Sequence, residues 1–377
     1  MQCVSGIIYD PETEPYKGYI CWDDGIVTEV GAGSPPIEPD AKGIIVPLFI
    51  NGHVHIGDSC FHGKVDPSLG LHRIVVPPHG LKHRLLANTP KDELIHGIRQ
   101  SLGTMAATGT GSFLDFREGG LKGIELLEEA CRSPISDLNS EPIGEPFPAS
   151  RPEAHIFSRP AKNLYDPVEV SHLLERSSGL GISAMADWEY AELQKVAADV
   201  RASGKLIAMH ASEAIREDID AILELKPDIL VHLTSATASD LERVADADVR
   251  VIVCPRTNSL FGLWPDIPKM FALGIPLTFG TDNLMFTQPD MFKEMRFTFE
   301  KLHRLSGLSG SEKRKQIAHD VVRMTGVSLR KPLNVKSGLL AGEKARFMML
   351  PVHLKDHASV ADRIIHEGSK PLMVVQE

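Results

Sequence analysis

Two histidines one residue apart, His53 and His55, follow the apolar run in "LFINGHVHIGDS" (48–59). Side chains alternate along a strand, so these two imidazoles would project to the same side. Their Cα atoms would lie roughly 6.6 Å apart, at about 3.3 Å per residue. That spacing lets two ring nitrogens converge on one ion at about 2.0–2.1 Å. A pair of ordinary loop histidines is the competing reading in a chain with 16 histidines. Further on, groups of the same chemistry recur at the ends of apolar runs: His210 with Glu213 three residues later, His232, and Asp282. His53, His55, His210 and Asp282 would make three nitrogen ligands and one oxygen. With a position left for water, that set describes a catalytic rather than a closed structural site. No thiolate joins it. One divalent ion is expected, Zn2+ first, with Fe2+ or Mn2+ as the alternatives.

The elements that must position these groups are short apolar runs separated by segments of helical period. The runs are 44–50, 111–116, 154–157, 181–185, 205–210, 228–232, 249–254 and 275–282. Eight such βα units predict an α/β chain with a (β/α)8, TIM-like barrel. In such a barrel the working residues sit at the C-terminal ends of the strands, where all these candidates fall. The segment ending at Gly204 reads as a helix stopped by glycine, and Ser239 as a helix N-cap. Strand-like texture with tight turns precedes residue 46 and returns from about 333. This predicts a small β domain built from both chain ends, 1–46 plus 334–377, around a barrel domain at 47–333. Two long loops stand out. Segment 56–90 is rich in His, Lys and Arg, and would meet a substrate carboxylate or phosphate, face solvent, or contact a second subunit. Segment 132–152 is Pro-rich, and reads as a lid or a passive excursion.

Composition excludes several classes. The 377 residues carry 40 Lys+Arg against 50 Asp+Glu, a net charge of −10, which gives no electrostatic footprint for nucleic acid. No apolar run reaches the roughly 18 residues of a membrane span. The first residues lack the basic and apolar regions of a signal peptide. Cys3, Cys21, Cys60, Cys131 and Cys254 are scattered without a CxxC pair, so free thiols and a cytoplasmic location are expected.

"NGHVH", "MHASE", "VHLTSAT", "CPRTNSLFG" and "FGTDN" together resemble the amidohydrolase superfamily, in particular its mononuclear branch of cytosine, guanine and adenosine-type deaminases. The resemblance implies His53, His55, His210 and Asp282 as metal ligands, Glu213 as proton shuttle and His232 as a helper beside the water. Dinuclear relatives bridge two metals with a strand-four Lys or Glu. Here that exit reads "SAMADW" (183–188) without lysine, and Asp187 and Glu189 read as helix-start residues, so one metal is expected. The implied reaction is hydrolytic deamination of an aminated heterocycle such as a nucleobase or nucleoside. Asp282 would take the water's proton, and Glu213 would protonate the ring nitrogen and then the leaving amine. A helix N-terminal carboxylate is the plain alternative for Glu213. Hydrolysis of a ring amide or halide (C–N or C–Cl) and a non-catalytic metal- or ligand-binding relative are the competing functions. Candidate substrate contacts are His79, Lys82, Arg117 and Asn258, with Arg117 equally able to pair with Glu118. The expected partner is a small heterocycle, and a homodimer is admitted because dimers are common in such enzymes.

Overall fold

The computed structural model describes residues 1–132, 151–306, 310–351, 359–368 and 370–376. The chain opens with β1 (Gln2–Ile8), β2 (Tyr16–Asp23), β3 (Ile26–Ala32) and β4 (Ala41–Pro47). Nine strands of a second sheet follow: β5 (Phe49–His55), β6 (Thr110–Arg117), β7 (Glu153–Ser158), β8 (Gly179–Ile182), β9 (Leu206–Ala211), β10 (Ile229–His232), β11 (Arg250–Val253), β12 (Leu277–Phe279) and β13 (Asp282–Asn283). β14 (Arg346–Leu350) and β15 (Met373–Gln376) then return to the first sheet, whose order is β15-β14-β4-β1-β2-β3.

The nine-stranded sheet is parallel throughout and curls into the expected TIM-like barrel, in the order β12-β11-β10-β9-β8-β7-β6-β5-β13. Its two ends, β12 and β13, come from the single run read at 275–282. Gly280 and Thr281 break that run, so that β12 pairs with β11 and β13 pairs with β5. The first run, 44–50, is likewise divided. Ile44–Val46 lie in β4 of the small sheet, and Phe49 begins β5 of the barrel. From Gly43 to the end of β4, and throughout β5, the residues are buried on both faces, so no polar residue marks the change of sheet. The small sheet buries Val4, Ile20, Trp22, Ile45, Phe347 and Met349 together. Asp24 and Gly25, both at positive φ, make the tight turn between β2 and β3.

Three local expectations change. Helix 190–202 stops at Gly204 with φ +69° as read, but helix Ala238–Asp246 is capped by Thr237, not Ser239. Thr237 and Asp240 exchange side-chain-to-backbone bonds of 3.2 and 2.8 Å, a reciprocal cap in which Ser239 is only a first-turn residue. Segment 56–90 is not a loop. It folds into two 3-10 turns and helices Leu71–Val75 and Leu81–Asn88, because Phe61, Val65, Ile74 and Met285 bury one side of it. Nor are all five cysteines free: the β1–β2 register sets Cys3 opposite Cys21, and the two form a disulfide. That pairing depends on strand register and is invisible to a search for CxxC. Cys60, Cys131 and Cys254 are free. The core of the Pro-rich segment at 132–152 lies outside the described residues. No described helix is long and apolar enough to cross a membrane.

Helix Val360–Glu367 is tied to helix Ser311–Arg323 by one carboxylate. Arg314 donates to both oxygens of Asp362 at 2.9 and 2.7 Å, and Nδ1 of His366 lies 3.0 Å from Oδ1. Burial alone would raise the pKa of Asp362, but His366 and Arg314 hold it at about 2, while Asp362 raises that of His366. The Asp362 contribution to stability is therefore complete above its unfolded pKa of about 3.9 and fades as pH falls towards 2. The His366 contribution is complete below about 6.5 and fades as pH rises through its higher folded value. Asp362→Asn should lower stability by about 1 kcal/mol, a figure reduced for the exposure of Arg314. In thermal melts the gap from the parent protein should be widest between about pH 4 and 6.5 and narrow on either side.

Candidate active site

The barrel closes where β13 meets β5, and this contact assembles the site. Asn51 donates to Oγ1 of Thr281 at 2.7 Å, and the Thr281 N–H donates back to Oδ1 of Asn51 at 3.1 Å. A Cβ on Gly280 would stand 2.6 Å from that of His53, so only glycine permits this approach. Thr257 and Thr287 both donate to the Thr281 carbonyl. Asp282 itself is held at φ +61°, and His232, at the end of β10, at φ +78°. Non-glycine residues seldom adopt such angles, and their concentration at strand exits is the pattern of a functional site.

His53 and Asp282 are wholly buried. Nε2 of His53 is 3.3 Å from Oδ1 of Asp282, and Nε2 of His55 is 3.7 Å from the same oxygen. The His53 ring lies 4.9 Å from both the His55 and His210 rings, centroid to centroid. Candidate ligand atoms fall into three overlapping groups within 4.8 Å: His53, His55 and Asp282; His53, His210 and His232; Glu213, His232 and Asp282. Nδ1 of His55 donates to the Phe116 carbonyl at 3.0 Å, and Nδ1 of His210 donates to that of Ile182 at 2.8 Å. A carbonyl only accepts, so both Nε2 atoms carry lone pairs. One ring nitrogen anchored to a carbonyl and the other free is the usual arrangement of metal-binding histidine. Neither nitrogen of His53, nor Oδ2 of Asp282, makes a hydrogen bond. These orphaned buried atoms and neutral ring nitrogens fit a divalent cation.

Glu213 sits on the turn after β9, where Thr234 and Ser235 donate to its carbonyl at 2.5 and 2.7 Å. The Asn258 amide, from the helix after β11, donates to Oε1 of Glu213 and to Nδ1 of His232, both at 3.2 Å. The second bond leaves the ring proton of His232 on Nε2, 3.6 Å from Oε1 of Glu213. The Glu213 side chain keeps 19% of its surface open.

Burial separates the charge states of these groups. It lowers the pKa of His53, His55, His210 and His232, that of His55 to about 4, so all four rings are neutral at pH 7. Burial also drives the Glu213 carboxyl well above its usual range, and the Asp282 charge adds to this. Burial would raise Asp282 too, but His53 and its neighbours outweigh it and hold that carboxylate ionised. Burial thus favours the protonated form of Glu213 while Asp282 stays ionised, and the two face each other across the same histidines, the division of labour that acid–base catalysis uses.

Of the four residues read as substrate contacts, only Asn258 reaches this cluster. Lys82 is buried beneath it, paired with Glu118, 2.9 Å from Oδ1 of Asn283 and 3.8 Å from Asp58. Arg117 is buried as well, 3.4 Å from Asp115 and 3.7 Å from Glu118, the pairing weighed against substrate contact above. His79 is exposed on the turn before helix Leu81–Asn88. Sequence reasoning named Glu118 only as a partner for Arg117 and missed its contact with the histidines. Its Oε1 lies 2.8 Å from Nδ1 of His55. Burial would raise its pKa, but Lys82, His55 and Arg117 hold it well below the usual range. Its signal was the position two residues beyond inward-facing Phe116.

The model of the amidohydrolase family matches residues 44–361. The chain belongs to the amidohydrolase family. It is a hydrolase of carbon–nitrogen bonds. A provisionally named aminohydrolase of Methanothermobacter thermautotrophicus is 34% identical over 312 residues, 78% of each chain. The fold is similar to that of a zinc-bound adenosine deaminase from Xanthomonas campestris, with TM-score 0.73 and 13% identity, covering 100% of this chain and 93% of that one. It is also similar to a zinc-complexed atrazine chlorohydrolase from Arthrobacter aurescens, with TM-score 0.69 and 15% identity, covering 100% and 96%.

Removing the buried ammonium tests the ion network. Lys82→Met should leave Glu118 and Asp58 without their cation and lower stability by about 3–5 kcal/mol. Calorimetry should show the loss partly reversed in the Lys82→Met/Glu118→Gln double variant, because the two residues are coupled.

Proposed function

We propose that this amidohydrolase is a mononuclear metal-dependent deaminase that removes an exocyclic amine from a heterocycle. His53, His55, His210 and Asp282 would hold the ion. A divalent cation there supplies Lewis acidity, lowering the pKa of water from 15.7 towards about 7. The remaining chemistry belongs to the chain. Asp282, ionised, accepts the proton that the attacking water loses. Glu213, in its protonated form, donates to the ring nitrogen as the attacked carbon becomes tetrahedral; left ionised, it takes the proton of the newly attached hydroxyl as the carbonyl forms and relays it to the departing amine, and the proton held on Asp282 then restores it. Asn258 fixes the Glu213 carboxyl and the His232 tautomer together, so that Nε2–H of His232 faces the attacking oxygen. We further propose 47–333 as the catalytic unit, with 1–46 and 334–377 as its supporting β unit.

The observation that carries this reading is geometric: a carboxyl oxygen of Glu213 and one of Asp282 lie within 4.8 Å of each other and of His232, beside the histidines that would hold the ion. Burial favours the protonated form of Glu213 and the histidines favour the ionised form of Asp282, a contrast that suits a reaction needing one proton taken and one delivered. Displacement of a ring chloride needs no proton on its leaving group.

Glu213→Gln should keep about one metal per chain by elemental analysis and lose ammonia release by about 10²–10⁴-fold. The assay is ammonia formation across aminated purines, pyrimidines, nucleosides and pterins. Chloride released from a chlorinated ring, with no ammonia from any amine, would overturn the deaminase reading. His210→Ala should drop the metal content well below one per chain. Full metal retention there would remove His210 from the ligand set.

A further inference from the structure

Arg159 is the first residue beyond β7, and the mechanism above does not use it. In β7, Phe157 faces the barrel interior with Phe116, Ala208 and Ile252. Its ring stacks on Phe116 at 5.6 Å, and Phe116 lies 4.2 Å from the His53 ring and 5.3 Å from the His210 ring. Strand alternation gives residue 159 the inward side taken by 157. The adjacent strand shows the same rule. Phe116 pairs with Phe157 in register, and two residues beyond Phe116, Glu118 turns in to meet His55. Arg159 holds the corresponding place one strand over, a spacing of about 4.8 Å.

Its guanidinium is partly buried, yet no hydrogen bond or ion pair engages it among the described residues. The other arginines without such a partner, Arg73, Arg84 and Arg132, are exposed. Glu118 and Asp187 act on Arg159 only through space, against a burial that lowers its pKa. Glu118 is already committed to Lys82 and His55. A guanidinium drawn out of water without an acceptor is costly. Two coplanar oxygens from a ligand would satisfy its fork.

We propose that Arg159 anchors the substrate, and that the aminated heterocycle carries an oxyanion substituent, a carboxylate or a phosphate, seated at the exit of β7. This deepens the deaminase reading and rests on it for the reacting ring. The neutral nucleobase end would lie over the histidines, with the anion one strand spacing to the side.

The test uses the full-length, metal-loaded protein with adenosine, cytidine and guanosine, each compared with its 5′-monophosphate and its 5′-carboxylate. Ammonia release should favour an anionic member over its parent by about 10-fold or more in kcat/KM. The favoured anion tells phosphate from carboxylate. Arg159→Gln should collapse that preference mainly through KM, and Arg159→Lys should restore part of it. A preference unchanged in Arg159→Gln, or a preference for the neutral parents, overturns the proposal. Titration calorimetry with inorganic phosphate and with acetate supplies a readout free of turnover. Binding of either anion that is lost in Arg159→Gln sustains the anchor even where no nucleoside releases ammonia, in which case only the deaminase reading falls. Equal binding by both proteins, or none by the parent, overturns the anchor even where ammonia appears. If Arg159→Gln melts well below the parent, the Arg159→Lys protein carries both comparisons.

Discussion

The contact between β5 and the segment 280–283 closes the barrel and makes the site in one stroke. Asn51 and Thr281, 230 residues apart, exchange two hydrogen bonds there. Gly280 lies against His53 with no room for a side chain. A parallel barrel gains nothing from its last strand until the long intervening chain has been ordered, so this seam bears a large share of the loop-closure cost. The same seam sets His53 beside Asp282. A barrel that failed to close here would lose its histidine–carboxylate pair together with its ninth strand. Fold and candidate chemistry thus rest on one set of bonds.

A chain of buried polar groups reinforces the seam from behind. Glu118 meets His55 and Lys82, Lys82 donates to Asn283, and Asn283 donates to Asp282 at 2.8 Å. Beneath it, Gly57 leaves space that the guanidinium of Arg117 fills, since a Cβ there would overlap Nη2. Buried charge is weak evidence of stability, because desolvation offsets much of the attraction. Its worth here is orientation: the chain ties His55 and Asp282, on the two sides of the seam, to a shared set of donors and acceptors. Such outer partners fix ring orientation and tautomer in metal sites.

The small sheet works at the opposite end. Arg346 on β14 donates to Glu153, to the Gly111 carbonyl and to Ser112, at the starts of β6 and β7. Gln376 on β15 donates to the same Gly111 carbonyl. These bonds brace the N-terminal ends of barrel strands, the face of such a barrel that serves stability rather than chemistry. The mouth that holds the histidines is left to the barrel's own exit segments.

Much of this was legible in the sequence. The eight apolar runs and the residues at their ends, His53, His55, His210, Glu213, His232 and Asp282, follow from strand alternation and run length, both of which are local. Tertiary structure alone decided the rest. The run at 44–50 serves two strands because the buried residues around the change of sheet carry no polar punctuation, and that at 275–282 does so because Gly280 and Thr281 break it, a break whose meaning shows only in their fit against His53 and Asn51. Glu118, Lys82 and Arg117 acquired their places through pairing across more than one element, which no spacing rule reports. Cys3 and Cys21 met through strand register. Arg159 carries no signal in the sequence, and only the register of β7 beside β6, with Phe157 paired to Phe116, gives it the inward position argued for it above.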